Sequence, residues 1–69
     1  MTIYNDKIDA AVACVRGHLD SPLDRAEALE AAGRQLRLAE QLDDSQRHIA
    51  VDRLVASGEI SEKERGLYF

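Results

Sequence analysis

The sequence predicts an all-α fold: a small bundle of three helices plus a short C-terminal helical turn, assembled as a homodimer. Three observations lead there. Alanine, leucine, glutamate and arginine dominate, and the sole proline, Pro22, sits where a helix would start. Apolar residues recur at spacings of three and four rather than two. The chain has 69 residues and one cysteine, Cys14. That length holds a single domain, residues 1–69, burying only about 60% of the surface its unfolded chain exposes. One cysteine closes no internal disulfide. Two histidines and one cysteine make a poor metal inventory, so no metal or cofactor is expected, and a second subunit is the remaining common way to stabilise so small a core.

The first helix is expected from Tyr4 to Leu19. Ile8, Val12, Val15 and Leu19 fall at steps of four, three and four, and with Tyr4 and Ala11 they form one stripe. Asp6, Asp9, Arg16 and Asp20 face away. In "DSPLD", Ser21 is placed to cap, Pro22 to occupy the first helical position and Asp24 to complete the box.

The second helix is then expected from Pro22 to about Leu42, a length of about 31 Å. Ala26, Leu29, Ala32, Gly33 and Leu36 make one face, and Ala28, Ala31, Leu38, Ala39 and Leu42 continue round the side. The apolar arc spans roughly 240° at 100° per residue. A helix apolar on two sides is buried on two sides, and the first helix covers only one. Gly33 sharpens the point, because a helix-interior glycine costs roughly 1 kcal/mol against alanine and is worth that cost where another backbone comes close. These features place the expected dimer interface at Leu29, Gly33, Leu36, Leu38 and Leu42.

"DDS" at Asp43–Ser45 breaks the pattern, and a third helix follows from about Ser45 to Ser57. Gly58 is a natural left-handed stop. "SEKE" from Ser61 is a capping box opening a last short helical turn to about Gly66. The chain closes on "GLYF", so two of its three aromatic residues stand at the last two positions, either tucked onto the core or offered to a partner.

Charge narrows the function. Nine basic residues are scattered among thirteen acidic ones, for a net charge of −4, whereas nucleic-acid binding needs clustered Lys and Arg. The second and third helices could mimic a helix-turn-helix with Gln46, Arg47 and His48 leading the recognition helix, but the flanking "QLDDS" would repel phosphate. No apolar run reaches the roughly 20 residues that span a bilayer. A lone cysteine and no leader pattern point to the cytoplasm.

The chemistry-bearing constellations are incomplete. "SGEISEKE" places Gly58, Ile60 and Glu64 like part of an EF-hand loop, yet the first and third ligand positions would be Arg53 and Val55, which offer calcium no carboxylate. Cys14 and His18, one helical turn apart, are half of a zinc site that only a twofold axis would complete. His48 and Asp52 are also one turn apart, but Ser45 and Ser57 share their helix and no oxyanion loop is present. An enzyme is not expected. Protein binding remains, with Asp20 and Asp24, or Asp43 and Asp44, facing a basic partner.

The length, the opening "MTIYNDKIDAAVACVRGHLDSP", the helical "RAEALEAAGRQLRLAEQL" and the "GLYF" end together give the chain the look of the small accessory proteins that temperate phages make to retune a host. It resembles the phage quorum-sensing anti-activators, compact helical dimers that bind the DNA-binding domain of a LuxR-type regulator such as LasR. The resemblance spans the whole chain without a diagnostic motif, so no functional residue carries over by position. It implies a non-enzymatic inhibitor in the host cytoplasm, with room for a second host target such as the pilus assembly ATPase. A small dimeric helical adaptor, or an anti-CRISPR type inhibitor of another host complex, is the alternative. The exposed residues outside the expected dimer core, and hence the expected partner-binding set, are Arg16, His18, Asp20, Asp24, Tyr68 and Phe69.

Overall fold

The computed structural model describes residues 3–69, with side chains from residue 7 onward. It contains four helices and, among the described residues, no strand: α1 (Ile3–Leu19), α2 (Arg25–Leu38), α3 (Asp44–Ala56) and α4 (Glu62–Tyr68). The all-helical expectation holds. The places given to Tyr4 and Asp6 on the first helix lie outside the described side chains.

The stripe on α1 is the spine of the core. Ile8, Ala11, Val12 and Val15 are all buried, and α1 packs on both α2 and α3. Leu29, Ala32 and Leu36 come to it from α2, Ala50, Val51 and Leu54 from α3, and Ile60 from the loop before α4.

Helix α2 is shorter than expected at both ends. It starts at Arg25 rather than Pro22, because Ser21 is committed to closing α1: its hydroxyl donates to the His18 carbonyl at 2.5 Å and its backbone N–H donates to the same oxygen. Asp24 becomes the N-cap residue, without a side-chain capping bond, and its carbonyl accepts the first helical bond from Ala28 N–H. At the other end Ala39 turns extended, with ψ 109°. Continued helically, Leu42 would stand well off the core-facing side of α2. Leaving the helix lets Leu42 pack against the core and lets Asp43 adopt the extended conformation of an N-cap.

Asp43 then forms a capping box absent from the sequence reading. Its carboxylate accepts from Gln46 N–H at 2.8 Å, and the Gln46 side chain accepts from Asp43 N–H at 3.1 Å. Gln46 is the buried polar residue among those described, and the box satisfies its amide oxygen. Gly58 closes α3 at φ 81°, the left-handed conformation its lack of a Cβ permits. The Ser61 box is present as expected, with Ser61 and Glu64 bonding reciprocally. Helix α4 runs two residues past the expected end.

The close approach foreseen at Gly33 is made, but within the chain. A Cβ built on Gly33 would run into the carbonyl oxygen of Tyr68. Helix α4 therefore packs on the Gly33 edge of the one buried face of α2, and Arg37 locks the contact by donating to the same Tyr68 oxygen at 2.8 Å. Burial of α2 on a second side is not found: of Ala28, Ala31, Leu38, Ala39 and Leu42 only Ala28 is fully buried. Leu29, Gly33 and Leu36 are buried inside one chain, which removes them from any dimer contact. Of the five residues assigned to that interface, Leu38 is 74% exposed and Leu42 is half-buried against the core.

Candidate protein-binding surface

Five arginines are tied to carboxylates. Arg16 on α1 clasps Glu59 through Nε and Nη2, at 2.7 and 2.9 Å. Arg25 on α2 clasps Glu64 at 2.7 and 3.0 Å and donates to the Glu59 carbonyl at 2.6 Å. Arg53 reaches back to Asp9 at 2.7 Å, Arg65 bridges Asp52 and Glu62, and Arg47 pairs with Asp44 at 3.1 Å. Arg25–Glu64 and Arg53–Asp9 tie α4 and α3 to the α1–α2 unit, Arg16–Glu59 ties in the loop before α4, and Arg65–Asp52 joins α3 to α4, so these cations hold elements together.

The carboxylates left over are unevenly placed. Asp20, Asp24, Glu27 and Glu30 are exposed and lie within ion-pair distance of no cation among the described residues. They occupy the α1–α2 turn and the first two turns of α2. Asp24 and Glu27 also complement the positive end of the α2 dipole, which accounts in part for acidic residues there.

The residues expected to form a partner site are not brought into one patch. Arg16 and Asp20 line a shallow cleft with Leu19 and Glu59. His18 leaves α1 on the opposite flank, where its Nε2 is 2.8 Å from the Gln35 side-chain oxygen on α2. Residues two apart on a helix do not share a face, a signal already present in the spacing of Arg16 and His18. Tyr68 and Phe69 are half-buried and pack against the core rather than standing free. Arg25, Arg37, Glu59 and Glu64, which organise this side of the molecule, were missed; their partners lie 31 to 39 residues away or further, and no local pattern announces such pairs.

The chemistry considered for catalysis and metals looks different in three dimensions. Asp52 is bound to Arg65 at 2.7 Å rather than orienting His48. Among the described residues no three His, Cys, Asp or Glu side chains converge as a metal site. Burial pushes the Cys14 thiol above its ordinary pKa, which disfavours the reactive thiolate. Cys14 instead lines an open, mainly apolar groove of about 260 Å³ between α1 and the end of α2, with Ala10, Ala11, Leu36, Ala39 and Leu42. No described helix is long and apolar enough to cross a membrane.

The clasps carry a pH signature. The Arg16 guanidinium, with the Ser57 hydroxyl, holds the Glu59 carboxyl down to about 2, and Arg25 with the Ser61 N–H does the same for Glu64. A carboxyl whose pKa is lower in the folded chain adds stability above its unfolded value and loses it as protons bind. Stability should therefore be flat above pH 4.5 as far as these groups are concerned, and fall as pH drops from 4.5 toward about 2. Urea midpoints measured across that range check this. Glu59→Gln with Glu64→Gln should flatten the fall, and an unchanged slope in the double variant would contradict it.

No protein family matches the chain, and no curated protein or solved structure gives a significant match.

Proposed function

We propose that this chain is a non-enzymatic inhibitor that acts as a homodimer and docks its acidic α1–α2 end on the basic, DNA-facing surface of a LuxR-type regulator. The observation that carries the reading is the set of carboxylates Asp20, Asp24, Glu27 and Glu30, without a cation among the described residues, while Arg16 and Arg25 beside them are held in internal clasps. A DNA-binding domain offers clustered Lys and Arg for phosphate. An acidic surface competes for those side chains, draws the partner in by long-range attraction and blocks DNA by occlusion. The fold needs no cofactor for this, and Leu23, 46% exposed beside Asp24, supplies an apolar anchor amid the charges.

In a mobility-shift experiment the protein should release a LuxR-type regulator from its promoter and leave bare DNA unshifted. Asp20→Lys with Asp24→Lys should slow association at low salt at least about tenfold and flatten its salt dependence. A regulator–DNA complex that survives excess protein, or a shift of the bare DNA, overturns the reading and favours an adaptor or a DNA-binding protein.

A further inference from the structure

The end of α2 carries a projection and a recess side by side. Leu38 is the most exposed large apolar side chain among the described residues, at 74%. No described residue covers it. The recess is the groove lined by Ala10, Ala11 and Cys14 of α1 and by Leu36, Ala39 and Leu42 at the end of α2. Gln35, on its wall, stands about 60° round the helix from Leu38. A dry cavity of roughly 150 Å³ already holds a benzene ring; this recess, at about 260 Å³, is large enough for a leucine side chain.

The charges beside the two features are opposite. Glu40, two residues past Leu38, is exposed and pairs with no cation among the described residues. Lys7 stands on the wall of the recess and pairs with no carboxylate among them. A projection and its complement, adjacent on one surface, form a self-complementary patch, which is what a twofold contact requires.

We infer that two copies of this chain associate by exchanging Leu38, each leucine seating in the α1–α2 recess of the partner, with Glu40 of each copy facing Lys7 of the other. This rests on the homodimer in the preceding section and gives it a place: the outward flank at the end of α2, not the Leu29–Gly33–Leu36 face. The surface of one chain is 4434 Å², and a standard interface takes about a tenth of a small protein's surface on each side. At a tenth on each side the contact buries less than about 1,000 Å² in total, in the range of weak, transient association, so the dimer dissociates on dilution. Cys14, on the wall of the recess, is covered when the partner's Leu38 enters.

Sedimentation equilibrium from micromolar to millimolar protein tests this, together with the rate at which a disulfide reagent labels Cys14. The wild-type mass should rise toward twice 7.7 kDa and Cys14 labelling should slow in parallel. Leu38→Asp, at a site exposed in the single chain, should keep its helical signal, weaken association at least about tenfold and label at a rate independent of concentration. Ala10→Trp, filling the recess, should do the same. Lys7→Glu and Glu40→Lys should each weaken the dimer, and the two together in one chain should recover it. A wild-type monomer at every concentration overturns this inference along with the homodimer. A dimer that tolerates Leu38→Asp and leaves Cys14 open overturns it alone.

Discussion

Leu29→Ala is expected to remove a large share of the protein's stability. Leu29 is 0% exposed and lies in the core with the α1 stripe and α3. Truncating such a leucine costs about 2–5 kcal/mol, the lost transfer energy plus the cavity left behind. At 0.05–0.15 kcal/mol per residue, a chain of 69 residues has roughly 3–10 kcal/mol in total. One buried side chain therefore carries a large fraction of the total. Leu38→Ala is the matched control: the same chemistry at a 74% exposed position should shift single-chain stability by no more than about 0.5 kcal/mol. Urea denaturation followed by circular dichroism separates the two. If Leu29→Ala left the helical signal and urea midpoint intact and only split a dimer, Leu29 would face a second copy and the core described above would be wrong.

Gly33→Ala should destabilise the chain although it improves helix propensity. In an open helix the change gains about 1 kcal/mol. Here the new Cβ meets the Tyr68 carbonyl oxygen, a backbone atom that cannot swing aside as a side-chain tip can. Helix α4 must lift, which stretches the Arg37–Tyr68 bond and draws Tyr68 and Phe69 off the core. The net loss should be about 1–3 kcal/mol, the range of overpacked cores, and greater for Gly33→Leu. Gly17→Ala and Gly66→Ala provide the contrast, since a Cβ at either meets nothing within 4 Å; each should be neutral or stabilising by up to about 1 kcal/mol. Amide exchange in α4 should quicken in Gly33→Ala and not in Gly17→Ala. A stabilised Gly33→Ala would mean that α4 does not rest on α2.

Gly33 also marks how far the sequence can be read. Its presence in "EALEAAGRQL" announces that a backbone comes close, without saying which. The wide apolar arc misleads, because Ala26 and Leu38 on it are exposed and α2 is buried on one face. A second chain and a C-terminal helix of the same chain make the same demand on α2, and only the three-dimensional path of residues 57–69 separates them. The Ser61 box, the Gly58 stop and the α1 stripe were legible because their partners lie within a turn or two, but locality alone did not suffice: the equally local Asp43–Gln46 box was not foreseen, and the one expected at Ser21 and Asp24 does not form. The ends of α2 were not, because Ser21 and Leu42 answer to the closure of α1 and to the core rather than to their own propensity. The clasps of Arg16 and Arg25 were invisible for a related reason. Their carboxylates lie 43 and 39 residues away, and any of thirteen acidic residues could have served. The acidic end built from Asp20 and Asp24 was partly legible. Its extension along Glu27 and Glu30 emerges only once Arg16 and Arg25 are seen to be engaged elsewhere.

The proposed function requires this acidic end to meet the DNA-facing surface of a LuxR-type regulator. The most direct test is an NMR titration of the isotope-labelled protein with the unlabelled DNA-binding domain of such a regulator. Amide shifts should concentrate at residues 20–30, around Leu23 and the carboxylates of Asp20, Asp24, Glu27 and Glu30, and should reverse when promoter DNA is added in excess. A spectrum unmoved by the regulator, or shifts that persist unchanged in the presence of DNA, would contradict it.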